Sequence, residues 1–149
     1  MKHLKFFFLA LCSVVMIGCT SDEPSNLDTV PDPAGTVSLS MRDFDNGRTY
    51  LNGYIYIRNE NFLSGACNPF YVDRFVDLGP VNGLGNVSYI PKDGWAEQVM
   101  VVPGHGYVAD IMGQYYRIYV IDYAYSILGG IIGADIKYQT PFYGTVEEN

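Results

Sequence analysis

The residues of this chain that could carry chemistry are few. His105, in Pro103-Gly104-His105-Gly106-Tyr107, is the only histidine beyond the leader-like first twenty residues. A histidine titrates near neutral pH and suits general acid–base work. No Gly-x-Ser-x-Gly elbow accompanies it to supply a nucleophile. A zinc site needs several His or Cys ligands, and His105 with Cys67 does not make one. A turn position between two strands is the expectation for His105, and a small, partly buried loop residue the expectation for Cys67. Asp73 and Asp77 have the same parity on an expected strand, which offers a carboxylate pair on one face. Such spacings also arise on any solvated strand. Asp43-Phe44-Asp45-Asn46-Gly47 superficially resembles the start of a calcium loop. However, Tyr54 stands where the twelfth-position carboxylate belongs, and the glycine comes one residue early. No phosphate loop or dinucleotide fingerprint is present. The expectation is a domain without cofactor or metal, and not an enzyme.

Tyrosine is the unusual residue. All 13 lie beyond residue 49. Tyr50, Tyr54 and Tyr56 share one parity, opposite to Leu51, Ile55 and Ile57. Further on, Tyr115, Arg117, Tyr119, Tyr123 and Tyr125 share a parity, with Ile118, Val120 and Ala124 on the other. A tyrosine presents a large apolar face and a polar tip with two torsions to freeze, so it suits stacking on sugars and contact with partners. The same residues also favour strands, and cross-strand aromatic pairs stabilise a solvated sheet face. Two binding readings follow. One is a sugar-stacking platform, with Arg42, Asn52 or Arg117 giving polar contacts. The other is a protein-contact face in an adhesin-like or structural assembly. A hydrolase is the third, lesser reading.

The elements that must position these residues read as β throughout. Apolar and polar residues alternate with period two between Gly, Pro, Asn and Asp clusters, and no window carries a helical period. Val37, Leu39 and Met41 alternate with serines and Arg42. The spacing predicts a first hairpin in which this strand turns through Asp45-Asn46-Gly47 and pairs with residues 50–57, Val37 opposite Ile55 and Met41 opposite Leu51. Further strands are expected at 70–77, 86–90, 98–102, 107–111, 115–125 and 131–139, with Gly129-Gly130 as a hairpin turn. About eight short strands after residue 35 imply an antiparallel β-sandwich or a small barrel.

The first residues give an address. Lys2 and Lys5 precede an apolar run, Phe6 to Ile17, which is too short to span a bilayer that needs about 20 residues. Met16-Ile17-Gly18-Cys19 resembles a bacterial lipobox, which implies a signal at 1–18 and lipidation of Cys19. The acidic Asp22-Glu23 that follow resemble the surface-export signal of Bacteroidetes-type lipoproteins. Pro24, Pro31 and Pro33 among polar residues predict a flexible tether over 19–34 before a folded domain at 35–149. The signal carries two of the nine basic residues and none of the sixteen acids, so the mature chain keeps seven against sixteen, a net charge of −9. That balance argues against nucleic acid and anionic lipid as partners. The single remaining thiol excludes an intrachain disulfide. Trp95, Val99-x-Val101-x-Pro103-Gly104-His105-Gly106-Tyr107-Val108, Arg117-Ile118-Tyr119-Val120 and the Gly-Gly-Ile-Ile-Gly-Ala block at 129–134 resemble small uncharacterised surface lipoproteins of the same bacteria. The resemblance covers residues 94–142 and implies an outer-membrane, surface-exposed location with no assigned activity. The expected contacts are the membrane through the anchor alone and a glycan or surface protein.

Overall fold

The computed structural model describes residues 28–43, 47–64 and 73–147. Its strands are β1 (Val37–Arg42), β2 (Ile55–Arg58), β3 (Asn61–Ser64), β4 (Arg74–Pro80), β5 (Tyr89–Ile90), β6 (Gln98–Met100), β7 (His105–Ile111), β8 (Gln114–Tyr125), β9 (Ile131–Gln139) and β10 (Thr145–Val146), with one 3₁₀ turn at Leu84–Asn86. The fold is all-β. A five-stranded sheet of order β1-β9-β8-β7-β4 is faced by a three-stranded sheet of order β2-β3-β6.

The alternation of the sequence explains the layering. Tyr107, Ala109 and Ile111 of β7, Tyr116, Ile118 and Val120 of β8, and Ala134 and Ile136 of β9 point to one side. There they meet Ile55, Ile57, Phe62 and Val101 from the smaller sheet in the main core. Phe62 packs edge-on against Tyr107, ring centroids 5.3 Å apart, a favoured aromatic geometry. The opposite face of the large sheet is covered in part by a second cluster, in which Val76 and Val108 meet Val87, Ile90 and Phe142.

Turn chemistry sets the hairpins. Met112 and Gly113 join β7 to β8 with φ of 53° and 82°, the two positive values that a two-residue hairpin turn requires. The β2–β3 turn does the same with Asn59 and Glu60, φ 49° and 62°. β8 and β9 are joined through Ser126–Gly130, where Ser126 N donates to Gly130 O at 2.7 Å, so the expected Gly129-Gly130 turn is present.

The first hairpin is a correction. β1 does not pair with residues 50–57. It pairs antiparallel with β9, from Val37 opposite Tyr138 to Arg42 opposite Gly133. β2 pairs instead with β3, from Ile55 opposite Ser64 to Arg58 opposite Asn61. Met41, Leu51, Ile55 and Ile57 point inward as expected, but Val37 is exposed, and Met41 and Ile55 enter the main core from different sheets. β9 offers β1 six matched positions, with Tyr138, Ile136 and Ala134 against Val37, Leu39 and Met41. Residues 44–46 of the expected loop, and Cys67, lie outside the described residues.

β5 and β10 form a short parallel ladder, whose connection runs through the large sheet rather than through a crossover helix. Residues 28–34, expected as tether, lie against the domain. Thr29 N and Val30 N donate to Asn82 O at 3.1 and 3.3 Å, Gln139 donates to Ala34 O at 2.7 Å, and Lys137 bridges Asp28 and Asp32. Two carboxylates meeting one ammonium supply the ordering that composition alone did not reveal.

Candidate functional site

The clearest aromatic surface is built at the entry to β2. Leu51 bridges Ile55, with Tyr54 N donating to Leu51 O at 3.1 Å. Asn52 and Gly53 between them adopt φ of 51° and 82°. Extending that register places Tyr50 directly opposite Tyr56, and their ring centroids are 5.6 Å apart at 56°. Leu51, Ile55 and Ile57 are buried, so the alternate residues are left on the outside. Tyr50 is 47% and Tyr54 39% exposed.

Arg48 completes this face. Its guanidinium carbon stands 4.8 Å from the Tyr56 ring centroid, within the range of a cation–π contact. It is held there by Asp43, Arg48 Nη2 to Oδ1 3.2 Å. Asp43 also accepts the Asn59 backbone N–H at 3.0 Å, so its carboxylate braces a turn with both oxygens. Burial acts to lower the Arg48 pKa, and hydrogen bonds to Asp43 and Tyr50 outweigh it and raise the pKa. The cation is permanent and locally neutralised by Asp43. Arg48 was missed in the sequence, although it is one step back along the same parity as Tyr50, Asn52, Tyr54 and Tyr56.

The second tyrosine set does not form a face. Tyr115 and Arg117 are half-buried and Tyr119 is 1% exposed. Tyr115 packs on Trp95. Arg117 lies over the Phe142 ring at 5.0 Å, and donates to Gln139 at 2.7 Å and to Val87 O at 3.1 Å. It braces the second cluster and is not available as a ligand contact. A register shift between Val120 and Asp122 puts Tyr123 on the main-core side, where its hydroxyl donates to Val101 O at 2.8 Å. The expected common parity of Tyr115, Tyr119 and Tyr123 is thus broken by a bulge. Of the other expected polar contacts, Arg42 pairs with Asp135 at 3.1 Å, and Asn52 Nδ2 donates to Tyr116 Oη at 3.2 Å.

His105 and Asp77 come together where β4 and β7 fall out of register. His105 Nδ1 lies 3.0 and 3.1 Å from the two carboxylate oxygens. Asp77 also accepts the Gly79 N–H at 2.8 Å, so the carboxylate shapes the bulge while it orients the ring. A histidine held by a carboxylate is the orienting half of a triad. The partner given to the His105 ring among the described residues is Asp77, and the three cysteines lie outside those residues. Asp73 and Asp77 do not form a pair. They are four residues apart, roughly 13 Å along a strand. Asp73 instead binds the Ser64 hydroxyl and accepts the Met112 N–H at 3.2 Å. Among the described residues, no cluster of three His, Cys, Asp or Glu side chains could hold a metal ion.

A domain of unknown function (DUF5036) matches residues 38–110. The match runs from β1 to near the end of β7, so it takes in Arg48, Tyr50, Tyr54, Tyr56, Asp77 and His105, and omits β8, β9 and β10. No curated protein and no solved structure matches the chain.

Proposed function

We propose that this protein is a lipid-anchored binding module of the cell surface that acts without catalysis, and that Tyr50, Tyr54 and Tyr56 with Arg48 hold a neutral glycan. The observation that carries the reading is the exposed Tyr50 packed on the half-buried Tyr56, a pair braced by Arg48. Sugar rings bind through their apolar C–H faces, and tyrosine offers a stacking surface with little rotamer entropy to lose. Asp43 compensates Arg48 and the mature chain is acidic, so charge gives an anionic saccharide no advantage.

The envelope location rests on the lipobox-like Met16-Ile17-Gly18-Cys19 and the acids after it. Among the described residues, no helix is long and apolar enough to cross a membrane. The non-catalytic reading is supported by the ring of His105, which is oriented by Asp77, with no Gly-x-Ser-x-Gly elbow in the sequence to supply a nucleophile.

A glycan array probed with the purified protein tests the binding reading. Binding to neutral saccharides that is lost in Tyr50→Ala and Tyr54→Ala, with the melting temperature kept, supports it. A blank array together with a stably co-purifying surface protein supports instead a structural or adhesin-like role for the same face. Palmitate labelling of cells checks the anchor: label is expected on the parent and absent from Cys19→Ala.

A further inference from the structure

The turn between β8 and β9 exposes two adjacent aliphatic side chains completely. Ile127 is 105% and Leu128 96% exposed. Tyr125 and Ile131, at the ends of the two strands, are also exposed. From Tyr123 to Ala134 the sequence carries no charged residue, and Asp122 and Asp135 bound this stretch on either side. Exposed apolar residues scattered singly on a surface are ordinary, whereas a contiguous uncharged group at a projecting tip calls for an apolar environment.

The backbone of the tip is prepared for such an environment. Ser126 N donates to Gly130 O at 2.7 Å, and Gly129 N to Ser126 O at 2.9 Å. Gly130 N donates to the Ser126 hydroxyl at 3.1 Å. Three amide groups of the turn are thereby satisfied without water. Each amide paired internally lowers the cost of bringing the turn to an apolar phase, since it has no water to shed.

We propose that the Ser126–Gly130 tip inserts into the surface of a lipid layer, with Ile127 and Leu128 among the acyl chains and Tyr125 at the polar boundary. A lipid surface fits better than a protein pocket. The tip projects only two large side chains, too few to approach the roughly 1,000 Å² of a specific protein interface. It also lacks the Trp and Arg anchors that concentrate interface energy. A fluid acyl region needs no matching shape, and tyrosines are enriched at its boundary. The acidic character of the chain directs the tip to uncharged lipid headgroups. Gly129 and Gly130 keep the turn narrow at the point of entry.

This inference uses no residue of the tyrosine face and is independent of sugar binding. It is compatible with the proposed anchor. Cys19 lies nine residues before Asp28, a reach of at most about 30 Å. Asp28 is held at Lys137, about 20 Å of strand from Ile131. Anchor and tip can therefore meet one bilayer.

The test uses the full chain and phosphatidylcholine vesicles brominated on their acyl chains. In Leu128→Trp the new indole reports the tip, while Trp95, which packs against Tyr115 and donates to Pro91 O at 2.9 Å, serves as the internal reference. The new fluorescence should shift to the blue and fall at least twofold with brominated lipid, and the parent fluorescence should not. Compared in a Cys19→Ala background, where no lipid anchor holds the chain on the membrane, Ile127→Asp combined with Leu128→Asp should lower vesicle partitioning at least tenfold, with an unchanged circular dichroism spectrum, because both side chains lie outside the packed layers. The proposal is overturned by an unquenched indole, whether or not the chain sits on the vesicles through its own lipid. Equal partitioning of the aspartate variant overturns it as well. An unquenched tip that crosslinks in cells to one protein would show that a partner pocket, not lipid, receives it.

Discussion

Tyr119 and Tyr123 lie on opposite faces of β8. Val120 pairs with Ile136 and Asp122 with Asp135, which leaves Ile121 as an extra residue and inverts the alternation beyond it. Tyr119 therefore lies beside Lys137 on the face that carries the second cluster, and Tyr123 joins the main core. Tyr119→Ala should destabilise the protein by about 3–5 kcal/mol, as expected for emptying a buried aromatic site. Tyr54→Ala, at an exposed turn, should cost under about 1 kcal/mol. Urea titrations of the two variants check the contrast; comparable losses would place Tyr54 in a core.

Alkaline pH should unfold the protein through its buried phenols. Burial pushes the Tyr107 pKa well above its ordinary value, with the Val102 N–H acting to lower it. Tyr119 and Tyr123 are raised as well, chiefly by burial. Each acid is held neutral by the fold, so its contribution is complete below the unfolded pKa of about 10. Above that pH the unfolded chain ionises first, and stability falls until the folded pKa is reached. Stability should decline steadily above about pH 10. Tyr107→Phe should flatten that decline. It should also cost about 1–3 kcal/mol at neutral pH, because Val102 N and Met100 O lose the hydroxyl they share at 2.8 and 3.0 Å. Equilibrium unfolding against pH reads both effects.

Gly133 holds the close approach of β9 to β1. A Cβ there would lie 1.9 Å from Met41 O, at a φ of 154°. Gly133→Ala should lower the melting temperature by roughly 5–10 °C or more, since the strands must part or the backbone strain. Calorimetry decides, and an unchanged melting temperature would mean that β1 is not held against β9 at this point.

His105→Gln should cost under about 1 kcal/mol, since the Asp77 contact is partly solvated and such pairs contribute little. The variant should also retain whatever ligand binding the parent shows. Hydrolytic activity in the parent that vanishes in this variant would contradict the non-catalytic reading.

The sequence carried the fold class and much of the strand list because period-two alternation survives wherever one face is buried. β9 and β8 were read almost to the residue for that reason. Strand partners were not legible. Val37–Arg42 fits β9 and residues 50–57 equally well by parity, and only the competition among all strands for a core selects β9. The β2–β3 turn was missed because Asn59-Glu60 contains no glycine to announce its positive φ. The Ile121 bulge was missed because an inserted apolar residue leaves the local alternation looking continuous. In the aromatic site, Tyr50, Tyr54 and Tyr56 were legible from parity. Arg48 was not singled out, because one arginine beside an expected turn reads as solvated until its stacking on Tyr56 is seen.

The aromatic face of Arg48, Tyr50, Tyr54 and Tyr56 is where the proposed binding is decided. The decisive measurement is calorimetric titration of a neutral oligosaccharide, chosen from the array, into the parent and into Tyr50→Ala and Tyr56→Ala. Each substitution should weaken binding about tenfold or more, the equivalent of about 1.4 kcal/mol, while the melting temperature changes by only a few degrees. Binding that is unaltered in both variants, or absent from the parent across all neutral glycans, would contradict it.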